Sequence, residues 1–141
     1  MQKLIVPDAS VILKWTFSSP NEHNRDKALN ILNAWISGRI EILLPKLWVF
    51  EVANVLALKN PKFAEEIMDI LIGYRFPEYE ANAEICKRTF ELMGKYRGTF
   101  YDAVYHAVAL INKGTLVTAD KPYYLKSFKA GNISMLDDFS I

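Results

Sequence analysis

Four acidic residues stand where a carboxylate needs an explanation. Glu51 falls in the run from Leu47 to Leu58, LWVFEVANVLAL, in which Glu51 and Asn54 are the only polar members. Three residues apart, these two share one face of a helix. A helix apolar nearly all round is expected to be buried. A carboxylate inside it, with neither cap nor dipole to favour it in mid-helix, is strongly disfavoured unless paired or coordinated. Asp8 and Asp120 each follow a short apolar stretch suited to a buried strand, residues 3–6 and 116–118. In an open parallel sheet that position is the carboxyl edge, where ligands bind. Asp102 opens another apolar run, from Tyr101 to Asn112.

Each acid alone has a plainer reading. Asp8 and Asp120 suit N-caps of the helices that follow, and Asp102 suits a first-turn acid favoured by the helix dipole. Together the four point to one cluster at the end of a sheet. Two carboxylates ~5 Å apart repel by roughly 3 kcal/mol at an effective dielectric of about 20. Four must therefore take up protons or bind cations. A set of oxygen donors with no Cys or His beside it favours a hard ion, Mg²⁺ or Mn²⁺, over zinc.

The elements that must position these acids alternate between strand and helix. Residues 3–6 read as a first strand and Ala9 to about Phe17 as a helix. Ser19-Pro20-Asn21-Glu22 reads as the start of the next helix, with Ser as N-cap, Pro at the first turn and Glu at N3. Gly38 ends it, residues 40–44 form a second strand, and Pro45 opens the Glu51 helix. Asn60-Pro61 ends that helix and starts another, which runs to Gly73. Residues 74–77 suit a short edge strand, 80–96 a helix ended near Gly98, and 101–112 a second apolar helix. Residues 116–118 form a strand, 122–129 a short helix and 133–136 a last strand. This alternation calls for an α/β three-layer sandwich around a central, mainly parallel sheet of four or five strands. No repeat, linker or low-complexity stretch divides the 141 residues, which read as a single domain over 1–141.

Composition excludes several classes. One cysteine, Cys86, allows no internal disulfide and stands among helix residues as a structural side chain. No signal-peptide pattern or apolar run of about 18 residues is present, so a cytoplasmic protein without a membrane span is expected. The formal charge of +1 hides an asymmetry: residues 87–129 hold eight Lys or Arg against three acids. Arg97, Lys121, Lys126 and Lys129 flank the loops beside Asp102 and Asp120 and are candidate phosphate contacts. Tyr101, Tyr123 and Tyr124 are candidate platforms for unpaired bases.

The segments DASVILKW at Asp8, PKLWVFEVANVL around Glu51, YDAVYHAVAL around Asp102 and LVTADK around Asp120 together resemble the PIN-domain nucleases. They look most like the toxin subunit of VapBC-type toxin–antitoxin pairs. The resemblance spans essentially the whole chain. It implies a PIN-like fold and a Mg²⁺- or Mn²⁺-dependent endoribonuclease with one or two ions, whose catalytic and metal-holding acids match Asp8, Glu51, Asp102 and Asp120. It also implies that Ser10 and Thr118 match hydroxyl positions beside the site, and that Asn54 matches a polar position one turn after the glutamate. An RNA substrate, a homodimer and a small antitoxin follow from the same likeness. His106 departs from the family, where an aliphatic residue is usual. Four residues after Asp102, it is expected to face the same way, as a hydrogen-bonded wall of the pocket or a subunit contact.

Two other classes also place aspartates after parallel strands. A Mg²⁺-dependent phosphatase or phosphoacceptor would use Asp8, yet Asp8-Ala9-Ser10 lacks the second acid such a site needs. A non-catalytic nucleic-acid-binding module would use these acids only as helix caps.

Overall fold

The computed structural model describes residues 2–16 and 23–141. The helix start read at Ser19 to Glu22 lies outside these residues. Four parallel strands form the main sheet, in the order β2-β1-β5-β6. They are β1 (Lys3–Pro7), β2 (Ile40–Ile42), β5 (Thr115–Thr118) and β6 (Ile133–Met135). Ile5 pairs with Ile42 on one side and Thr115 on the other, and Val117 pairs with Ser134. Successive strand residues point to opposite faces. Ile5 and Val6, like Leu116 and Val117, are all wholly buried, so both faces of the sheet are covered. The cover comes from α1 (Ala9–Thr16), α2 (Arg25–Ile36), α6 (Phe100–Ile111) and α7 (Lys121–Ser127), while α3 (Trp48–Lys59) packs on α1, α4 (Ala64–Gly73) on α3 and α5 (Ala83–Tyr96) on α6.

Three expectations shift. The second strand, expected over residues 40–44, breaks after Ile42. The Leu43 N–H still reaches Ile5, whereas the Leu44 N–H turns to Pro77. Leu44–Pro45 then forms β3, which pairs parallel with β4 (Glu78–Tyr79) in a separate two-stranded sheet. The edge strand expected over 74–77 therefore lies just beyond that segment. Tyr74 and Phe76 instead join Trp15, Trp35 and Trp48 in an aromatic cluster with ring centroids 4.7–6.2 Å apart. Burying those rings outweighs a ladder of two or three hydrogen bonds.

The third shift concerns α3. Pro45 belongs to β3, so the helix begins at Trp48 and Glu51 lies in its first turn rather than mid-helix. The helix is also not buried all round: Phe50 is 79% and Leu58 76% exposed, and only Trp48, Val52 and Leu56 are buried. Two later helices start with side-chain caps. Asn82 accepts from the Ile85 N–H at the start of α5, and Thr99 from the Asp102 N–H at the start of α6. The helix end read near Gly98 falls one residue earlier, where Arg97 takes the left-handed position (φ 59°). Gly98 lies where an added Cβ would meet the Tyr123 ring at 3.3 Å.

Candidate active site

Asp8 follows directly on β1, where its backbone N–H bonds Val117 of the neighbouring strand at 3.2 Å. Its side chain caps α1, accepting the Val11 N–H on Oδ1 at 3.3 Å. Two hydroxyls complete its surroundings. Ser10 Oγ accepts the Ala119 N–H at 2.9 Å and donates its own proton to Asp8 Oδ1 at 2.5 Å. Thr118 Oγ1 accepts the Asp120 N–H at 3.0 Å and donates to Asp8 Oδ2 at 2.5 Å. Each hydroxyl has one proton, and the backbone donor it accepts from aims that proton at the carboxylate. Ser10 and Thr118, both sequence candidates, thus stand on Asp8 itself.

A carboxylate has about four lone-pair directions. Asp8 uses two on Oδ1 and one on Oδ2, and the last, on Oδ2, meets no protein donor among the described residues. Burial pushes the Asp8 carboxyl up to about 6 despite the three donors that oppose the shift, and the Asp120 charge adds to it.

Glu51 arrives from the first turn of α3 and is half-buried. Its Oε1 accepts from the Tyr105 hydroxyl at 3.0 Å, and Oε2 has no protein partner among the described residues. Burial raises its carboxyl to about 7, with the Asp8 and Asp102 charges adding to the shift. Tyr105, buried on α6, is the functional contact that sequence reasoning missed. Its one signal was position: it lies three residues after Asp102, on the same helix face. Burial and the Glu51 charge raise its hydroxyl, which stays protonated and donating.

Asp102 is exposed in the first turn of α6, and Asp120 caps α7 by accepting the Tyr123 N–H at 3.1 Å. The cap readings of Asp8 and Asp120 therefore describe real bonds, made while both acids face the same sheet edge. Asp8 feels the charge of Asp120, and Glu51 feels those of Asp8 and Asp102. Among the described residues no three acids or imidazoles are gathered as a ready ion cage. Nor does a Lys or Arg form an ion pair with any of the four. The donor set nonetheless suits a hard divalent cation: oxygen only, uncompensated by a basic side chain, with free positions on Asp8 Oδ2 and Glu51 Oε2.

Asn54 is exposed one turn after Glu51, and the two line one cavity. Arg97, Lys121, Lys126 and Lys129 are exposed, and Lys126 Nζ donates to the Arg97 carbonyl at 3.4 Å, which joins two of them. Two sequence expectations change. Tyr123, a candidate for base stacking, is 4% exposed and belongs to the core. His106 does not share Asp102's exposure; it is wholly buried. Its Nε2–H donates to the Gly131 carbonyl at 2.7 Å, which leaves Nδ1 to accept from the Tyr123 hydroxyl at 2.8 Å. Burial lowers its proton affinity, so it is a neutral tie between α6, α7 and the Gly131 turn.

Compared with known proteins, the chain matches the PIN domain family model over residues 5–129. No curated protein matches it by sequence. Among solved structures it is similar to a toxin–antitoxin complex from Klebsiella pneumoniae (19% identity, TM-score 0.67, 97% of this chain and 99% of that one). It is also similar to a sarcin–ricin-loop-cleaving VapC toxin from Mycobacterium tuberculosis (15%, TM-score 0.66, 91% and 95%). A third is a Rickettsia felis VapBC complex bound to a DNA fragment from its promoter (16%, TM-score 0.67, 94% and 96%). At these identities the likeness carries the fold, and the family model carries the assignment: the chain belongs to the PIN-domain family.

Proposed function

We propose that this protein is a metal-dependent endoribonuclease and the toxin of a type II toxin–antitoxin pair. The observation that carries the reading is Asp8: a half-buried carboxylate held by two aimed hydroxyls, with one Oδ2 lone pair left without a protein donor among the described residues. Asp8 would be the central holder of Mg²⁺ or Mn²⁺, one ion or two, with Glu51, Asp102 and Asp120 completing the set directly or through water. When bound, such an ion lowers the pKa of its water towards neutrality and offsets charge on the leaving oxygen.

The chain's own side chains do the rest. Ser10 and Thr118 fix the Asp8 carboxylate and keep it ionised, as a layer behind metal ligands commonly does. Tyr105 fixes one oxygen of Glu51 and leaves the other for the site. Arg97, Lys121, Lys126 and Lys129 offer phosphate contacts along the approach. Hydrolysis would leave 5′-phosphate and 3′-hydroxyl ends, as the family resemblance implies.

The similar toxin from M. tuberculosis cleaves the sarcin–ricin loop, the K. pneumoniae structure is a toxin–antitoxin complex and the R. felis structure is VapBC2 bound to promoter DNA. By the same likeness this chain would have a small antitoxin and form a homodimer. The exposed Leu58, Phe63, Ile70 and Ile72 of the α3–α4 pair offer it a face. No helix among the described residues is long and apolar enough to cross a membrane, and the cytoplasm is the proposed compartment. The test is cleavage of total RNA in Mg²⁺ or Mn²⁺ buffer by the parent and by Asp8→Asn. Binding indifferent to EDTA, with no cleavage, would favour a non-catalytic module instead.

A further inference from the structure

Beside Glu51 a cavity of about 580 Å³ opens between the first turns of α3 and α6, lined by Leu47, Phe50, Glu51, Asn54 and Tyr101. Its size falls within the roughly 300–1,000 Å³ usual for small-molecule sites. Two of its walls are aromatic rings that the fold leaves in water: Phe50 is 79% and Tyr101 60% exposed. Each is the sequence neighbour of a proposed metal-holding acid, Phe50 of Glu51 and Tyr101 of Asp102. The neutral polar side-chain groups in the lining are the Asn54 amide and the Tyr101 hydroxyl, and neither has a protein hydrogen-bond partner among the described residues.

We propose that this cavity is a nucleobase pocket, taking the unpaired base next to the phosphate cleaved at the acidic site. The inference rests on the nuclease reading above and adds to it the element that selects the base. A base is tethered to its phosphate, so a phosphate at Glu51 and Asp102 brings the neighbouring base to the mouth of this cavity. Phe50 and Tyr101 present rings at low conformational cost, and stacking on such rings tolerates any base because every base has a π-face. Selection then falls to Asn54, whose amide offers a donor and an acceptor side by side to the base edge. A second copy of this chain covering Phe50 would have to desolvate the Glu51 carboxylate beside it as well, which is costly for a charged group.

The test uses the full chain, with short single-stranded oligoribonucleotides carrying 2-aminopurine at successive positions. Stacking quenches this fluorophore, and cleavage sites are mapped on the same RNA in Mn²⁺. Phe50→Ala and Tyr101→Ala are expected to weaken binding about tenfold each and to restore emission at one position. Asn54→Ala is expected to keep most of the affinity while levelling the preference among the four bases at that position. If the parent cuts RNA and all three variants keep its KM and its site preference, the pocket is overturned and the nuclease reading stands. If quenching and base preference appear but no RNA is cut, the pocket stands and the hydrolytic reading falls. If Phe50→Ala instead turns a dimer into a monomer that binds RNA as before, the cavity is an interface between copies and the proposal falls.

Discussion

The Tyr105 hydroxyl lies 3.0 Å from Glu51 Oε1 and is the one protein donor that this half-buried carboxylate has among the described residues. Tyr105→Phe keeps the ring in the core and removes that donor. Glu51 should then hold its proton more tightly, and the rising limb of the pH–rate profile should move to higher pH. Cleavage near neutrality should fall roughly tenfold, in the range that loss of an outer contact to a metal ligand commonly gives. Unchanged cleavage and an unmoved profile would remove Tyr105 from the site.

Thr118 links two strands' worth of chain to Asp8. Thr118→Val keeps the shape but leaves Asp8 Oδ2 without its donor and the Asp120 N–H without its acceptor. Mn²⁺ affinity, read by calorimetry, should drop about 10- to 100-fold, and Thr118→Ser should restore most of it. Failure of serine to rescue would show that the methyl, not the hydroxyl, matters.

Asp8→Asn should abolish cleavage and leave a folded protein. The amide keeps an oxygen for the Val11 and Ser10 donors but no longer offers two charged oxygens. Circular dichroism and a cooperative melt check the fold; cleavage at the parental rate would overturn the assignment of Asp8.

The raised carboxyls give the metal-free protein a definite pH dependence. Folded Asp8 and Glu51 hold protons up to about 6 and about 7, against ordinary values of 3.8 and 4.5. Between these limits the folded state binds more protons than the unfolded one, so this contribution to stability falls as pH rises through the window. His106, with its proton affinity lowered, acts in the opposite sense. Glu51→Gln separates the two. It should match the parent near pH 4 and exceed it at about pH 8 by about 1 kcal/mol, a figure reduced for solvent screening at a half-buried group. Adding Mg²⁺ should raise the parent's Tm at pH 8 and hardly at all at pH 5.

His106→Ala should destabilise without touching the chemistry. It removes a wholly buried ring and leaves the Tyr123 hydroxyl and the Gly131 carbonyl unpaired, at about 2–4 kcal/mol. Cleavage per folded molecule below its Tm should match the parent; a large loss of kcat there would place His106 in the site after all.

Much of this was readable before any coordinates. Apolar runs closed by acids marked β1 and β5, because a strand buried on both faces must be continuously apolar and a parallel sheet collects its ligands at the carboxyl edge. That pattern named Asp8 and Asp120, acids within apolar helical runs named Glu51 and Asp102, and the resemblance to the family added Ser10 and Thr118. The start of α3 was misjudged because Pro45 is equally at home in a strand and at a helix start. Only the pairing of Leu44 with the Pro77 segment decided between them, and with it the turn in which Glu51 sits.

The sequence by itself determined the alternation of strands and helices and the acids at their ends, since these follow from local periodicity and residue type, and the resemblance of four segments pointed to the family. Tertiary structure alone decided that Tyr105 meets Glu51, that His106 turns inward to Tyr123, and that Phe50 and Tyr101 frame one cavity. Those contacts join residues far apart in the chain. Their partners depend on how helices are rotated and stacked, which no single segment's pattern contains.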